Sequence, residues 1–315
     1  MASASQENLE SLERAALKLG VVIPEFVNPI ERHAVVSGHR LHYLDWGNSQ
    51  RQPIVFLHGR ALTAHTWDLV CLSLRQDYHC ISIDLRGHGE SEWSPVVDYR
   101  LETISEEIRG FSEQELSSSP IFVGMSLGGM VAMRVAATLP VSPEALVIVD
   151  IAPTPPRSAG SEDGHQASPR RFNAGPTELN TIEDFVDWAL SFNPRRDPKS
   201  LRSSLLHNLR QKPSGKWTWK YDPRQFEAAD DDDASPMKGT LDHWEDARSV
   251  RCPTLVVRGA ESQYLSREGA QAFANELRHG RWVEVDGAGH SVQGDNPSGL
   301  LRELREFFAS VGTAV

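Results

Sequence analysis

An apolar run meets a glycine-rich turn at Ile121-Phe122-Val123-Gly124-Met125-Ser126-Leu127-Gly128-Gly129-Met130. The first three residues are apolar and partly β-branched, which predicts a short buried strand. Residues 124–128 match G-x-S-x-G, and an apolar, helix-compatible run then continues to Pro140. Strand, tight turn and helix form the setting in which this pattern presents a nucleophilic serine. We therefore predict that Ser126 is a nucleophile beside a helix N-terminus that favours a developing anion; the alternative is an ordinary strand-to-helix turn.

Further buried strands are predicted on both sides of this turn. Residues 53–57 and 80–84 precede it, residues 145–149 follow it, and helical patterns lie between these runs. Regular alternation of strand and helix predicts an α/β fold with a mostly parallel, doubly wound sheet. Functional groups of such sheets cluster at the carboxyl ends of the strands. Those ends carry four polar side chains, His58, Asp84, Ser126 and Asp150.

The composition divides the chain into four segments. Residues 31–152 and 247–315 carry the sheet pattern, whereas residues 153–246 open with a polar, proline-rich loop and continue with helical patterns and Trp217, Trp219 and Tyr221. We predict that 153–246 is a helical cap inserted into the sheet domain. Its run Asp230 to Asp233 is interpreted as a solvated loop rather than a metal site. Residues 1–30 form a helical extension, predicted to pack on the surface, with a lid or a dimer element as the alternative.

The composition also excludes several classes of protein. A net charge of −11 over 315 residues argues against a nucleic-acid surface. No apolar run approaches the roughly 20 residues that span a bilayer, and no signal peptide is evident. Three widely spaced cysteines predict reduced, buried thiols and a cytoplasmic protein. We find no cofactor motif and no metal-ligand spacing, so a small-molecule substrate is the expected partner.

The sequence resembles the α/β-hydrolase superfamily over nearly all of the chain after residue 30. The resemblance rests on an ordered set of motifs: His58-Gly59, Asp84-Leu85-Arg86-Gly87-His88-Gly89, the turn at Ser126, residues 253–259, and Gly289-His290. It implies a serine hydrolase of the Ser-His-acid type with a cap over the sheet. It does not identify a substrate, because this fold hosts many chemistries.

A serine hydroxyl needs a base within hydrogen-bond reach. The resemblance gives that role to His290, which follows the last strand, and makes His58 and His88 structural loop residues. The orienting acid departs from the family pattern, because Gln263 stands where many relatives carry aspartate. Two candidates remain open: Asp150, which we favour, and Glu261 in the usual loop.

The oxyanion hole requires two backbone N–H groups. Leu127, directly after the nucleophile, is predicted to supply one, and Arg60 the other by resemblance. The Arg60 side chain is unusual at this position. It is predicted either to contact a carboxylate, carbonyl or phenol of a substrate or to pair with a carboxylate of the cap.

These residues predict a serine hydrolase that cleaves an ester or lactone of a small, largely apolar substrate through an acyl-enzyme. One alternative is hydrolysis of a carbon–carbon bond in a β-diketone or dienone. The other is a non-catalytic, ligand-binding member of the fold, which the missing loop aspartate favours. The N-terminal helix offers a surface for a homodimer.

Overall fold

The computed structural model describes residues 4–153, 175–191, 194, 196–227 and 243–312. Most of the proline-rich loop that opens the predicted cap and the whole run from Asp230 to Asp233 lie outside these residues. The sequence interpretation of that run therefore stays a prediction.

A central sheet organises the described part of the chain. Its eight strands are β1 Ile30–Val36, β2 His39–Asp45, β3 Pro53–Leu57, β4 His79–Ile83, β5 Ile121–Met125, β6 Ala145–Val149, β10 Thr254–Gly259 and β11 Gly280–Val285. They lie in the order β1-β2-β4-β3-β5-β6-β10-β11; β7 to β9 form a separate sheet. Strand β2 runs antiparallel to both of its neighbours, and the remaining pairs are parallel. Every residue of β3, β5 and β6 is buried, as a parallel sheet covered on both faces requires.

Helices cover both faces of the sheet. One hydrophobic cluster contains Ile104, Met130 and Phe273, and a second contains Val70 and Leu304 on the other face. This arrangement confirms the predicted doubly wound α/β fold. The helices are Ala4–Lys18, Asp68–Leu74 (after a 3-10 turn, Ala64–Trp67), Leu101–Glu115, Leu127–Thr138, Ile182–Leu190, Pro198–Asn208, Arg224–Glu227, His243–Ser249, Arg267–Glu276, Val292–Asp295 and Pro297–Ser310.

The segment between β6 and the helix His243–Ser249 has a small core of its own. Phe185, Leu205 and Trp219 belong to this core, which joins the helices Ile182–Leu190 and Pro198–Asn208. The segment also contains a three-stranded antiparallel sheet in the order β7-β9-β8, which the sequence analysis missed. The strands are β7 Glu178–Leu179, β8 Leu209–Gln211 and β9 Trp217–Trp219, too short for an alternating pattern to stand out.

The N-terminal helix packs on the protein's own surface. Ala16 is buried among residues of the core. Ser11 Oγ lies 2.6 Å from Ser203 Oγ, and Lys18 pairs with Asp197 at 2.5 Å. These contacts with the helix Pro198–Asn208 and its N-cap favour the surface-packed interpretation. A homodimer stays a prediction.

Two further expectations from the sequence concern membrane-spanning segments and the state of the cysteines. None of the described helices combines the length and the apolar character needed to cross a membrane. All three cysteines are buried free thiols.

Candidate active site

Ser126 lies in a strained turn between β5 and the helix Leu127–Thr138. Its φ of 52° and ψ of −118° place a non-glycine residue in a sparsely populated region, at a cost of about 1–3 kcal/mol. A Cβ on Gly124 would meet the backbone of Gly128, and a Cβ on Gly128 would meet the carbonyls of Leu57 and His58. Glycine is therefore required on both sides of the serine. The Ser126 hydroxyl makes no capping hydrogen bond to its own helix.

A histidine and an aspartate meet at the same edge of the sheet. His290 Nδ1 lies 2.8 Å from Asp150 Oδ2. Asp150 directly follows β6, is fully buried and has a φ of 54°. Its Oδ1 accepts the Gly259 N–H at 3.0 Å, and its Oδ2 also accepts the Ser262 hydroxyl at 2.5 Å. With Nδ1–H donated to Asp150, His290 keeps Nε2 as the proton acceptor.

Glu261, the second candidate acid, occupies a different environment. It is exposed in the loop after β10, and its backbone N–H donates to Ala288. The carboxylate that accepts the hydrogen bond from His290 Nδ1–H is that of Asp150. The structure thus brings together Asp150 and His290, the pair that the sequence analysis favours.

Two residues of the same loop were not singled out from the sequence. Ser262 holds the Asp150 carboxylate, and the Tyr264 ring stacks on His290 with centroids 3.9 Å apart and planes 21° apart. The only signal available in the sequence was their place in the loop that carries Gln263. The first contact restrains the Asp150 carboxylate, and the second restrains the His290 ring.

Two backbone N–H groups are available near Ser126. In the described part of the chain, neither the Leu127 nor the Arg60 N–H donates to a protein acceptor. The loop after β3 runs directly against the turn at Ser126, since a Cβ on Gly59 would lie 3.3 Å from Ser126 Cβ. Gly128 N–H, the next amide of the helix, is held by the His58 carbonyl at 3.1 Å. The free amides are those that the sequence analysis assigns to an oxyanion hole.

The Arg60 side chain lies against the segment between β6 and the helix His243–Ser249. Its guanidinium is 5.6 Å from the centre of the Phe226 ring, and Phe226 in turn packs edge-on against Tyr221 at 5.1 Å. Burial lowers the pKa of Arg60 to about 10, which leaves it charged at neutral pH. Among the described residues it forms no ion pair with a carboxylate.

Two other histidines near the site are fixed by the backbone. His58 Nδ1–H donates to the Gly59 carbonyl at 2.8 Å, while its Nε2 accepts the Leu85 N–H at 2.9 Å. These two hydrogen bonds occupy both ring nitrogens. Burial lowers the pKa of His58, which favours the neutral ring. His88 Nδ1–H donates to the Arg86 carbonyl at 3.0 Å. These contacts support the structural roles predicted for both.

The burial of His88 predicts a pH dependence of stability. Burial and the neighbouring His58 lower the pKa of His88 to about 3, from an ordinary value near 6.5. As the pH falls below 6.5, the His88 side chain binds a proton in the unfolded chain but not in the folded protein. The contribution of His88 to the free energy of unfolding is therefore highest above pH 6.5 and decreases as the pH falls from 6.5 toward 3. Urea unfolding at pH 7, 6, 5 and 4 should show a shallower decline for His88→Asn than for the wild type. The difference is expected to reach about 1.4 kcal/mol per pH unit. Parallel declines would contradict this assignment.

A parallel α/β sheet, a serine on a strained strand-to-helix turn and a His–Asp pair at the same edge define the α/β hydrolases as a class. The chain matches the family described as "Alpha/beta hydrolase family" over residues 54–303. It therefore belongs to this family and is a hydrolase.

Several relatives share most of the chain. The sequence is 31% identical to "Esterase Rv0045c" of Mycobacterium tuberculosis, over 96% of this chain and 97% of that protein. It is 28% identical to "3-hydroxybutyrate-oligomer hydrolase" of Cupriavidus necator, over 80% and 87% of the two chains. One solved structure comes from work on transition metal inhibition of the M. tuberculosis esterase. It superposes on this chain with a TM-score of 0.76 at 28% sequence identity, and the match covers 96% of this chain and 98% of that one.

Proposed function

We propose that this protein hydrolyses a carboxylic ester or lactone through an acyl-enzyme, with Ser126 as nucleophile, His290 as base and Asp150 as orienting acid. The observation that carries the proposal is the 2.8 Å contact between His290 Nδ1 and Asp150 Oδ2 at the edge of the sheet that presents Ser126. Buried aspartate fixes the histidine tautomer and stabilises the imidazolium that forms during the reaction.

The proposed reaction has two halves. His290 Nε2 takes the Ser126 proton while Oγ attacks the ester carbonyl carbon. The resulting oxyanion accepts hydrogen bonds from the N–H groups of Leu127 and Arg60. The intermediate collapses, the bond to the leaving oxygen breaks, and His290 gives its proton to that oxygen. His290 then deprotonates a water, which attacks the acyl carbon of the acyl-enzyme. The bond between that carbon and Ser126 Oγ breaks, His290 returns the proton to Oγ, and the carboxylic acid leaves.

Two relatives are named as an esterase and as a 3-hydroxybutyrate-oligomer hydrolase. These names support ester cleavage over carbon–carbon hydrolysis and over a non-catalytic binding role. A burst assay with a p-nitrophenyl ester, followed by mass spectrometry of a fluorophosphonate-treated sample, tests the proposal. We expect a burst of one equivalent and a single adduct on Ser126. Turnover of a β-diketone without ester cleavage would support carbon–carbon hydrolysis instead. Ligand-induced stabilisation without any turnover would support a binding protein.

Arg60 narrows the substrate class within this proposal. A guanidinium that loses hydration without gaining a carboxylate partner carries an uncompensated cost. Among the described residues, its side chain contacts the Phe226 ring but pairs with no carboxylate. A substrate carboxylate would remove that cost through two parallel N–H to oxygen bonds. The substrate of this proposal is therefore a small, otherwise apolar ester that carries one carboxylate.

Substitution of Arg60 tests this substrate class. The matched substrates are the half-ester mono-p-nitrophenyl succinate and neutral p-nitrophenyl butyrate. In Arg60→Met, the ratio of kcat/KM for the half-ester to that for the neutral ester should fall about 10- to 100-fold, the scale of a lost charged hydrogen bond. Arg60→Lys keeps the charge and should give an intermediate ratio. Both variants retain the backbone N–H, so the ratio reports the side chain; an unchanged ratio in Arg60→Met contradicts carboxylate recognition.

A further inference from the structure

A cluster of metal-ligand side chains lies apart from the serine and its histidine. It contains His65 and Asp68, which follow β3, and His207, in the last turn of the helix Pro198–Asn208. Each residue offers one ligand atom, and these atoms all lie within 4.8 Å of one another. None of the three has a role in the proposed reaction.

The side chains are held in place by their neighbours. His65 Nδ1 lies 2.9 and 3.2 Å from the two oxygens of Asp68. The rings of His65 and His207 stack with centroids 3.8 Å apart. His207 Nε2 lies 3.2 Å from Asn8 Oδ1, so donation of Nε2–H to the amide oxygen leaves Nδ1 with a lone pair. A hydrogen bond of this kind, on the nitrogen away from the ion, is the usual way in which a ligating histidine is oriented.

The charge of Asp68 gives the cluster a reason to take a cation. Asp68 is 4% exposed. In the described part of the chain its carboxylate contacts no lysine or arginine, and its side-chain partner is His65. A buried carboxylate without a permanent cation is poorly compensated. Both a metal ion and a protonated His65 would supply the missing positive charge.

We propose that His65, Asp68 and His207 form a binding site for one divalent transition-metal ion such as Zn²⁺ or Ni²⁺. Two imidazoles and one carboxylate suit these ions, whereas Mg²⁺ and Ca²⁺ prefer oxygen ligands alone. Three protein ligands leave at least one coordination position for water. Because the ligand atoms lie up to 4.8 Å apart, they must move closer together to share one ion.

The position of the site gives the ion a structural effect. His65 and Asp68 follow β3 of the central sheet, whereas His207 belongs to the segment between β6 and the helix His243–Ser249. A direct hydrogen bond already joins the two parts beside the site, from Thr63 Oγ1 to Asn208 Oδ1 at 3.0 Å. An ion held by all three side chains adds a stronger link at the same junction. Because the unfolded chain cannot reproduce this arrangement, the ion stabilises the folded state.

Thermal unfolding and calorimetry of the untagged, full-length protein test the site. After treatment with EDTA and its removal, ZnCl₂ or NiCl₂ should bind with one ion per chain and raise the Tm of the wild type by a few degrees. MgCl₂ should leave the Tm unchanged. His207→Gln and Asp68→Asn should abolish the calorimetric binding and the shift, whereas His279→Gln, an exposed histidine elsewhere on the chain, should retain both.

The outcomes separate this site from its alternatives. Absence of binding to the wild type would overturn the proposal. Equal binding to wild type and His207→Gln would also overturn it, because the ion would then be held by other residues. If Asp68→Asn lowers the stability of the apo protein, His207→Gln provides the decisive comparison. Since neither readout depends on ester turnover, failure of the proposed reaction would leave this test intact.

Discussion

Ser126→Ala is expected to lower kcat for ester hydrolysis by about 10⁵- to 10⁶-fold, the scale on which removal of a triad nucleophile acts. Without Oγ no acyl-enzyme can form, so the burst of p-nitrophenol should disappear together with steady-state turnover. Any residual rate would come from water attacking a substrate held by the oxyanion N–H groups. Burst kinetics and steady-state rates on one p-nitrophenyl ester measure both effects.

The design needs a matched control for the loss of a serine hydroxyl. Ser117→Ala removes an exposed hydroxyl far from the turn and should keep the rate of the wild type. The fold of Ser126→Ala should persist, since alanine accepts the same backbone as serine at this position, and circular dichroism can verify it. Full esterase activity in a correctly folded Ser126→Ala protein would refute the proposed mechanism.

The second large effect concerns the acid. Asp150→Asn should lower kcat by about 10⁴-fold, because its geometry favours the wrong tautomer of His290. Asp150 Oδ1 accepts the Gly259 N–H, so the asparagine oxygen is expected to keep that position. Its NH₂ group would then face His290 Nδ1 and donate to it. The proton of the imidazole would move to Nε2, which could no longer accept the proton of Ser126.

Glu261→Gln is the matched control for this change. It neutralises a carboxylate in the loop that usually supplies the acid, yet the residue is exposed, and His290 Nδ1–H donates its hydrogen bond to Asp150. We expect kcat within about 3-fold of the wild type, the range of a surface substitution. A large loss in Glu261→Gln with a wild-type rate in Asp150→Asn would reverse the acid assignment. Wild-type rates in both would leave Ser126 and His290 as a dyad.

Local sequence patterns were sufficient to predict the buried strands of the central sheet and the turn at Ser126. Buried parallel strands are continuous apolar runs, and β3, β5 and β6 therefore stand out within a few residues of their observed ends. The glycines around Ser126 are readable for a similar reason. Gly128 approaches the backbone at the end of β3 so closely that no Cβ fits there. The need for glycine is therefore visible in the sequence at that position.

Short or irregular elements left a weaker signal. The strands of the small sheet contain two or three residues each, and their pairing depends on neighbours that are distant in the chain. The same segment includes Trp217 and Trp219, whose apolar character was visible but whose strand conformation was not. A two- or three-residue strand cannot display the alternation on which a sequence prediction rests.

By itself the sequence determined the α/β class, the strained serine turn and the position of His290 after the last strand. Only the tertiary structure decided which carboxylate meets that histidine, because the answer depends on the order β6-β10-β11 in the sheet. That order places Asp150, at the end of β6, next to the loops that follow β10 and β11. The same holds for His207, which packing brings beside His65 and Asp68 from a distant part of the chain. Contacts between distant segments are created by packing, and no short-range pattern encodes them.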